Sequence, residues 1–457
     1  MDEAAAALAA TQAALRQASP EPQGGGTTHR VRISWPKGVM VLMSLLLLVG
    51  IIVSVQYLSF RLPTPRANIP DKPSIAVLPF ATLSEAPQAD FGVGMAYDLI
   101  IDLSKLPGLV VIAQHSTFTY QGKAVQVPEV SKELGARYVL EGSVRTVGDR
   151  VLITAQLSDS TTGGYVWAER YERPLHDLFA VQEEVRRKIL VHIGLRLTPE
   201  QEERLQRTYT PNLEAYNDYA QALEFFVVHI TPTGYAQAQQ LFEKAIALDP
   251  SYAVAYALLG LSYWIEWVLW SDDPQLLERA FALAQQALAL DDSLAPAHEL
   301  LGLVYLWRDK QHEQAIAELK RALAYNPSWF SAYTMLGYAL NLAGRPKETI
   351  ANAEQGLRLS PRSEDYPPVL AQAYVLTGRY EEAIATCQKM TYHPYAHLYL
   401  ALAYSELGRE EEARAEAAKI LQLNPNFSLE ALRPRLPYKD PAVLERQLAA
   451  WRKAGLK

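Results

Sequence analysis

Apolar positions in the C-terminal half of the chain recur in pairs of helix-length stretches, and each pair ends at a similar turn. The turn returns at intervals of 31 to 35 residues over most of this half. Its copies are Leu-Asp-Pro (248–250), Leu-Asp-Asp (290–292), Tyr-Asn-Pro (325–327), Leu-Ser-Pro (359–361), Tyr-His-Pro (392–394) and Leu-Asn-Pro (423–425). A period of this size is typical of a repeat solenoid, which presents an extended binding surface.

Residues 74–200 follow a different pattern, in which short apolar runs alternate with amphipathic stretches. Alternation from Val151 to Leu157 predicts a strand with one buried face, and Gly148-Asp149 is typical of a hairpin turn. The pattern predicts strands at 74–80, 109–113, 137–147, 150–159 and 164–172, and helices at 89–105, 127–134 and 176–195. This β-α-β-α-β-β-β-α order predicts a small α+β domain.

An uncharged apolar run at 38–60 predicts a transmembrane helix in contact with the lipid bilayer. Its 23 residues compare with the roughly 20 that span the hydrocarbon core. Lys and Arg are nearly balanced on the two flanks, so the positive-inside rule leaves the orientation open. Residues 1–35 predict a disordered tail, and the prolines within 61–73 predict an extended linker. The expected fold class is one transmembrane helix, an α+β domain and an all-α solenoid.

Composition narrows the range of functions. The net charge is −7 over 457 residues, and no domain is basic, so a nucleic-acid partner is not expected. Apolar residues make up 49% of the chain, which is enough for a sizeable core. Cys387 is the only cysteine, which excludes an intrachain disulfide and a cysteine-based zinc site.

Residue types recur at fixed places within each repeat. The first helix of a repeat, here called the A helix, carries Leu-Gly and then an aromatic residue, as in Gly260 with Tyr263. The second, or B, helix carries a small residue where the two helices approach closely, as at Ala383. In its period and in these positions the chain resembles the tetratricopeptide repeat. The resemblance implies six copies over 211–457, with a capping helix at 441–453.

The resemblance also implies a groove for partner proteins, lined by fixed positions of the A helices. Transferred by register, these positions are Val254, Ala257, Leu261, Trp264, Glu299, Leu303, Leu306, Thr334, Tyr338, Asn341, Gln372, Val375, Leu402 and Ser405. None of them is Lys or Arg, so a clamp that grips a peptide carboxylate by charge is disfavoured. An apolar or amphipathic partner segment fits this lining better.

Trp264, Trp267 and Trp270 form a stripe at i, i+3 and i+6 that has two interpretations. Such stripes mostly pack in cores, here between stretched helices. An exposed stripe would instead be an aromatic anchor for a ligand. The sequence leaves both interpretations open.

A second resemblance covers about 74–195. The runs PSIAVLPF, GLVVIAQHSTFTY and KELGARYVLEGSVRTVGDRVLITAQLSDSTTGGYVWAERYERPLHDLFAVQEEV resemble the TolB amino-terminal-like domain of bacterial envelope proteins. Relatives often place this domain, at 74–200 here, between a membrane span and tetratricopeptide repeats, after a nucleotide cyclase or winged-helix domain. The resemblance implies a single-pass protein of the bacterial inner membrane with periplasmic C-terminal domains. The residues before 38–60 are too few for either output domain.

Candidate chemistry is weak throughout the chain. Gly92-Val-Gly94 suggests a phosphate loop but lacks a third glycine, so a helix entry is favoured. Asp98 and Asp102 share one helix face and are interpreted as solvated acids. His393 and His397 have zinc-compatible spacing but lack further ligands, which favours a turn. No catalytic residue, metal or cofactor is predicted, and the chain is not expected to be an enzyme.

The apolar run at 38–60 and the two resemblances together imply a membrane-anchored scaffold or sensor of the bacterial envelope that binds partner proteins through its repeat groove. The alternative is a signalling protein related to adenylate or guanylate cyclases or to transcription regulators.

Overall fold

A computed structural model describes residues 72–83, 91–123, 126–205, 210–362, 366–390 and 394–457. All of them belong to one compact unit, residues 66–457. The predicted tail at 1–35, the predicted span at 38–60 and most of the linker at 61–73 lie outside the described residues.

The inner-membrane localisation requires correction. Among the described residues, no helix is both long and apolar enough to cross a membrane. The longest of them, Pro232–Leu248 and Ala253–Leu269, have 17 residues each, whereas a spanning helix needs about 20 apolar residues. The structure therefore gives no support to a single-pass inner-membrane protein with periplasmic domains.

The α+β region is built on one mixed sheet. Its strands within the described residues are β1 (Ser74–Val77), β2 (Ala81–Thr82), β3 (Val110–Val111), β4 (Tyr138–Val147), β5 (Arg150–Asp159) and β6 (Gly164–Pro174). Their order is β3-β1-β4-β5-β6, and β2 pairs with β4. The pairs among β3, β1 and β4 are parallel, whereas β4, β5 and β6 form an antiparallel meander.

Helices cover this sheet. They are α1 (Phe91–Ser104), α2 (Gln114–Thr117), α3 (Val127–Leu134), α4 (Leu178–His192) and α5 (Pro199–Leu205). Helix α3 ends at Gly135 in a left-handed conformation with φ of 64°, where glycine has no steric penalty. The strand predicted at 109–113 is shorter in the structure, because the amide of Ala113 leaves the sheet and donates to the carbonyl of Leu359 at 2.8 Å.

The C-terminal half is an all-α solenoid of helix pairs. The A and B helices in chain order are α6 (Leu213–Val227) with α7 (Pro232–Leu248), α8 (Ala253–Leu269) with α9 (Gln275–Leu290), α10 (Ala295–Trp307) with α11 (His312–Tyr325), α12 (Phe330–Leu342) with α13 (Pro346–Leu359), α14 (Tyr366–Leu376) with α15 (Tyr380–Cys387), and α16 (Pro394–Glu406) with α17 (Glu410–Leu423). Two further helices follow, α18 (Leu429–Leu432) and α19 (Pro441–Lys453). Gly344, Gly378 and Gly408 supply the positive φ that ends the A helix in three pairs.

The α+β region packs directly on the repeats. A Cβ placed on Gly94 of α1 would stand 2.8 Å from Cβ of Ala220 in α6, so the two helices touch at a glycine. Farther along, the hydroxyls of Ser116 and Ser360 are 3.0 Å apart, and Arg362 pairs with Glu133 at 3.1 Å. These contacts join α1, α2 and α3 to the first and fourth helix pairs.

The close approach at Gly94 can be tested by overpacking. Gly94→Val should lower the free energy of unfolding in urea by about 1–3 kcal/mol, the usual cost of forcing extra carbons into a packed core. Gly108→Ala is the matched control, because its Cβ would meet only Leu195 Cδ2, at 3.4 Å. An unchanged midpoint in Gly94→Val would show that the two helices do not pack at this point.

Candidate interaction site on the A-helix face

The surface formed by the A helices, here called the A-helix face, is largely covered by other parts of the same chain. Of the fourteen positions predicted to line an open groove, Tyr338 is half-buried and the other thirteen are buried. The register placed these residues on the A helices, but it assumed an open face. The elements that cover that face include helix α1 from the α+β region and a C-terminal stretch at 433–440, here called the inner segment. Helix α19 also covers the last A helix, α16, where the carbonyl of Ala450 accepts a hydrogen bond from the Ser405 hydroxyl at 3.2 Å.

Helix α1 brings a carboxyl group onto the first repeat. Asp98 is 2% exposed and accepts hydrogen bonds from the Tyr216 hydroxyl at 2.9 Å, Gln182 Nε2 at 3.1 Å and the Tyr219 hydroxyl at 3.4 Å. Burial raises the pKa of Asp98 to about 7, although these hydrogen bonds oppose the shift. The expectation of a solvated acid is therefore wrong at this position.

Asp102, one turn farther along α1, is also buried and not solvated. It pairs with Arg186 of α4 at 2.7 Å and with Lys105 at 3.1 Å. The two acids thus join α1 to its neighbours: Asp98 contacts α4 and the repeat, and Asp102 contacts α4. A sequence that shows only i, i+4 spacing cannot reveal these partners, because they lie far away along the chain.

Glu299, one of the predicted groove residues, is a second buried carboxyl. It is 1% exposed and accepts a hydrogen bond from Trp329 Nε1 at 2.5 Å and another from the Ser331 hydroxyl. Burial raises its pKa to about 7. Burial raises the pKa of Tyr97 in α1, and the charge of Glu299 adds to that shift.

The inner segment is held through its backbone. The carbonyl of Arg435 accepts from Trp307 Nε1 at 3.1 Å, and the carbonyl of Pro437 lies 2.6 Å from His312 Nε2. Since a carbonyl only accepts, Nε2 of His312 carries the hydrogen. The amide of Lys439 donates to the carbonyl of Leu342 at 2.8 Å. The third and fourth helix pairs therefore hold this segment by contacts that do not depend on its side chains.

A cavity of about 250 Å³ remains on the face beside the inner segment. Its lining is mostly aromatic and aliphatic, and includes Trp264, Trp307, Phe330, Met335, Tyr338, Tyr395 and Tyr399. Four predicted residues contribute to the lining: Trp264, Thr334, Tyr338 and Gln372. The register missed His115, which comes from the α+β region, and Arg435 and Leu436, which come from the inner segment. Pro434 and Pro437, which disfavour a long helix there, were the available signal for that segment. It begins with a single 3-10 turn at Arg433–Arg435.

The tryptophan stripe divides between its two interpretations. Trp264 is 8% exposed and packs edge-on against Trp307 with ring centroids 5.4 Å apart, and Trp267 is similarly buried. Trp270 is 39% exposed. Indole Nε1 of Trp264 and the hydroxyl of Thr334 have no hydrogen-bond partner among the described residues. The wall of the cavity therefore carries polar groups that the described part of the chain does not satisfy.

The remaining motifs have structural partners. Gly92 and Gly94 lie inside α1, where a Cβ on Gly92 would stand 2.3 Å from the carbonyl oxygen of Phe80. His397 Nδ1 lies 2.6 Å from Glu416, and His393 is outside the described residues. Within the described ranges, no three His, Cys, Asp or Glu side chains are placed to hold a metal ion. Burial raises the pKa of the Cys387 thiol to about 12, which disfavours the reactive thiolate.

Comparison with known proteins supports the repeat assignment. The family model "Tetratricopeptide repeat" matches residues 295–328, 369–392 and 395–427, which confirms that the solenoid contains tetratricopeptide repeats. All matched residues lie in the solenoid, so the resemblance of 74–195 to the TolB amino-terminal-like domain stays a prediction.

One curated relative is "Putative adenylate cyclase 3" of Rhizobium meliloti (strain 1021), which is 41% identical over 223 residues. The match covers 48% of this chain and 38% of that protein, so the chain spans less than half the length of its relative.

Solved structures give weaker likenesses. The type IV pilus biogenesis factor PilW is 20% identical with a TM-score of 0.38, over 48% of this chain and 96% of that one. Pseudomonas aeruginosa pilF is 18% identical with a TM-score of 0.35, over 50% and 98%. TM-scores below 0.5 at this identity do not establish a common overall arrangement.

The two buried carboxyls predict that the chain is more stable at pH 5 than at pH 8. Their pKa values near 7 in the folded chain lie above the unfolded values of about 4, so the folded state binds more protons between these limits. The free energy of unfolding should therefore fall as the pH rises from about 4 to 7 and then level off. Asp98→Asn and Glu299→Gln should each flatten this curve, measured by urea denaturation.

Asp249→Asn is the matched control for that experiment. Burial opposes ionisation of Asp249, but hydrogen bonds from Ser251 and Thr210 outweigh it and hold its pKa below the usual value. The stabilising contribution of the Asp249 carboxylate is lost only as the pH falls below about 4. Asp249→Asn should therefore lower the free energy of unfolding by the same amount at every pH between 5 and 8, without altering its slope against pH. If the free energy of unfolding of both Asp98→Asn and Glu299→Gln varies with pH as it does in the parent chain, the two carboxyls do not have raised pKa values.

Proposed function

We propose that this chain is a protein-interaction scaffold that holds a partner through an apolar side chain inserted into the cavity on its A-helix face. The observation that carries the proposal is the cavity itself. It is lined by aromatic side chains from several helix pairs, and it lies on the face that tetratricopeptide arrays present to partners.

The size of the cavity favours a side chain over a cofactor. Pockets for small molecules usually measure about 300–1,000 Å³, and this one is about 250 Å³. Aromatic residues dominate binding energy where they form well-packed pockets that exclude water. A Leu, Met or aromatic anchor on an amphipathic partner segment would bury its surface against Tyr338 and Phe330.

The charges around the cavity favour an apolar partner over an acidic one. Arg435 is the only Lys or Arg lining the cavity in the described structure, and it belongs to the inner segment. The A helices supply no cation to this lining. Binding should therefore depend weakly on salt, because screening weakens exposed charge pairs far more than apolar contacts.

A second candidate is a signalling role related to nucleotide cyclases, which the 41% identity to the Rhizobium meliloti protein favours. The shared residues make up 38% of that protein. Such a role would therefore consist of partner binding through the shared part, and we assign no catalytic group to the described residues.

Turnover assays separate the two candidates from an enzyme. The purified chain, incubated with ATP or GTP and Mg²⁺ or Mn²⁺, should form no cyclic nucleotide and release no phosphate above the rate of a heat-denatured sample. Turnover that a single side-chain substitution abolishes would overturn the scaffold proposal.

The cavity can be tested with peptides selected from a random library displayed on phage against the intact chain. Selected peptides should share an apolar or aromatic anchor. Tyr338→Ala removes a half-buried side chain from the lining and should weaken their binding by about 2 kcal/mol, or roughly 30-fold, as expected for a hot-spot residue. Affinity is measured by titration calorimetry at two salt concentrations.

Two further variants serve as controls. Trp264→Ala removes a mostly buried ring and should lower the free energy of unfolding by about 3–5 kcal/mol, which identifies effects that arise from lost packing. Gln285→Trp adds an aromatic side chain at an exposed position of the B helix α9 and should leave binding unchanged. Peptides that bind Tyr338→Ala as tightly as the parent chain, or whose affinity falls steeply with salt, would refute the proposed site.

A further inference from the structure

The side chains of the inner segment, as well as its backbone, make specific contacts with the A-helix face. The guanidinium group of Arg435 donates to the carbonyls of Val268 and Ser271, at the C-terminal end of α8. It also lies over the ring of Trp267, 5.6 Å from the centroid. The last carbonyls of a helix lack partners within the helix and carry partial negative charge, so this is a position that favours a cation.

The next residues complete a pattern. Leu436 lines the cavity described above. Pro437 is buried and, like Pro434, has no amide hydrogen that would need a partner. The hydroxyl of Tyr438 accepts a hydrogen bond from Gln372 Nε2 at 2.8 Å. The segment therefore offers the face a cation, an apolar side chain, a proline and an aromatic ring in succession.

These contacts resemble a bound peptide more than a linker. The segment makes backbone hydrogen bonds to side chains of α10 and α11 and to the end of α12, while its side chains reach α8, α14 and the cavity. The segment begins with a 3-10 turn at Arg433–Arg435 and continues without regular secondary structure. Bound peptides are commonly held by main-chain bonds that give affinity and side-chain pockets that give specificity. A linker between α18 and α19 would need none of these contacts.

We propose that the inner segment occupies a peptide site in cis, and that the partner carries a segment of the same chemistry that displaces it. The matching segment of the partner has Arg or Lys, then Leu or a similar apolar residue, then proline, then Tyr or another aromatic. This inference rests on the proposed function, since it names the kind of partner and the step that admits it.

A tethered occupant sets a threshold for the partner. A segment on a short tether competes at an effective concentration of the order of millimolar. If the inner segment binds its site with an intrinsic dissociation constant near 10 µM, about one molecule in a hundred would have the segment released. The apparent affinity of the partner would then be about 100-fold weaker than its affinity for the unoccupied site. Weakening the inner segment should therefore tighten binding in trans.

The test uses a labelled synthetic peptide with the sequence of residues 432–440, LRPRLPYKD, and fluorescence anisotropy. The dissociation constant of this peptide should be at least tenfold lower for the Arg435→Ala/Leu436→Ala chain than for the parent chain. A control peptide with alanine in place of the central Arg-Leu pair should bind neither chain. Urea denaturation of both chains shows whether the double variant remains folded.

Arg433→Ala is the matched control variant. Arg433 lies on the same stretch, but its guanidinium pairs with Glu445 of α19 at 2.5 Å and with Glu430 of α18 at 3.6 Å, and it does not line the cavity. Its peptide affinity should equal that of the parent chain. Should the double variant unfold, Arg435→Ala alone removes the cation and should still tighten binding. Equal affinity in all variants would show that the segment is only a structural link.

The outcomes also separate this inference from the proposed function. Library peptides that lose affinity in Tyr338→Ala, but bind the parent and double-variant chains equally, would keep the scaffold function and refute displacement. If neither the library peptides nor the 432–440 peptide binds any chain, both proposals fail.

Discussion

The contact between α1 and α6 is the constraint on which the rest of this structure depends. At Gly94 the two helices approach so closely that no side chain fits between them. One turn later, Asp98 is satisfied by hydroxyls of Tyr216 and Tyr219 from the repeat. Burying a carboxyl without such partners would cost several kcal/mol. Asp98 therefore favours only an arrangement of α1 and α6 in which the two tyrosine hydroxyls reach it. Docking of α1 at this point places β3, α2 and α3 against the fourth pair.

Local elements were predictable from the sequence because their causes are local. Gly135 ends α3 at the predicted residue, and the alternating pattern gave β5 with its observed bounds, since turn chemistry and side-chain periodicity act over a few residues. The repeat register likewise placed the predicted groove residues on A helices. Strand β3 was overestimated because Ala113 bonds to Leu359, which is far away along the chain.

The environment of the site was not predictable, because it is created by contacts between distant parts of the chain. Asp98 and Tyr216 are 118 positions apart, and Trp307 and Arg435 are 128 apart. Amphipathic spacing alone cannot show which neighbour covers a face. Asp98 therefore had the pattern of a solvated acid, and Arg435 fell in a stretch without repeat register. The fold class could be predicted from the periodicity of neighbouring residues. The chemistry of the A-helix face could not, because it depends on segments that are distant along the chain.

Helix α1 and the inner segment both cover part of the A-helix face, but they differ in how deeply they are buried. Every residue of α1 is buried, and its apolar side chains are continuous with the core of the sheet and of the first repeats. The inner segment is only partly buried, and Pro434, Lys439 and Asp440 within it are exposed. Local opening requires least free energy where few apolar contacts are lost. An uncovered aromatic face would favour aggregation, so the chain benefits from a cover here. The inner segment contributes fewer apolar side chains to the core than α1 does, although Leu436 and Tyr438 pack against it, so its release would cost less free energy than release of α1.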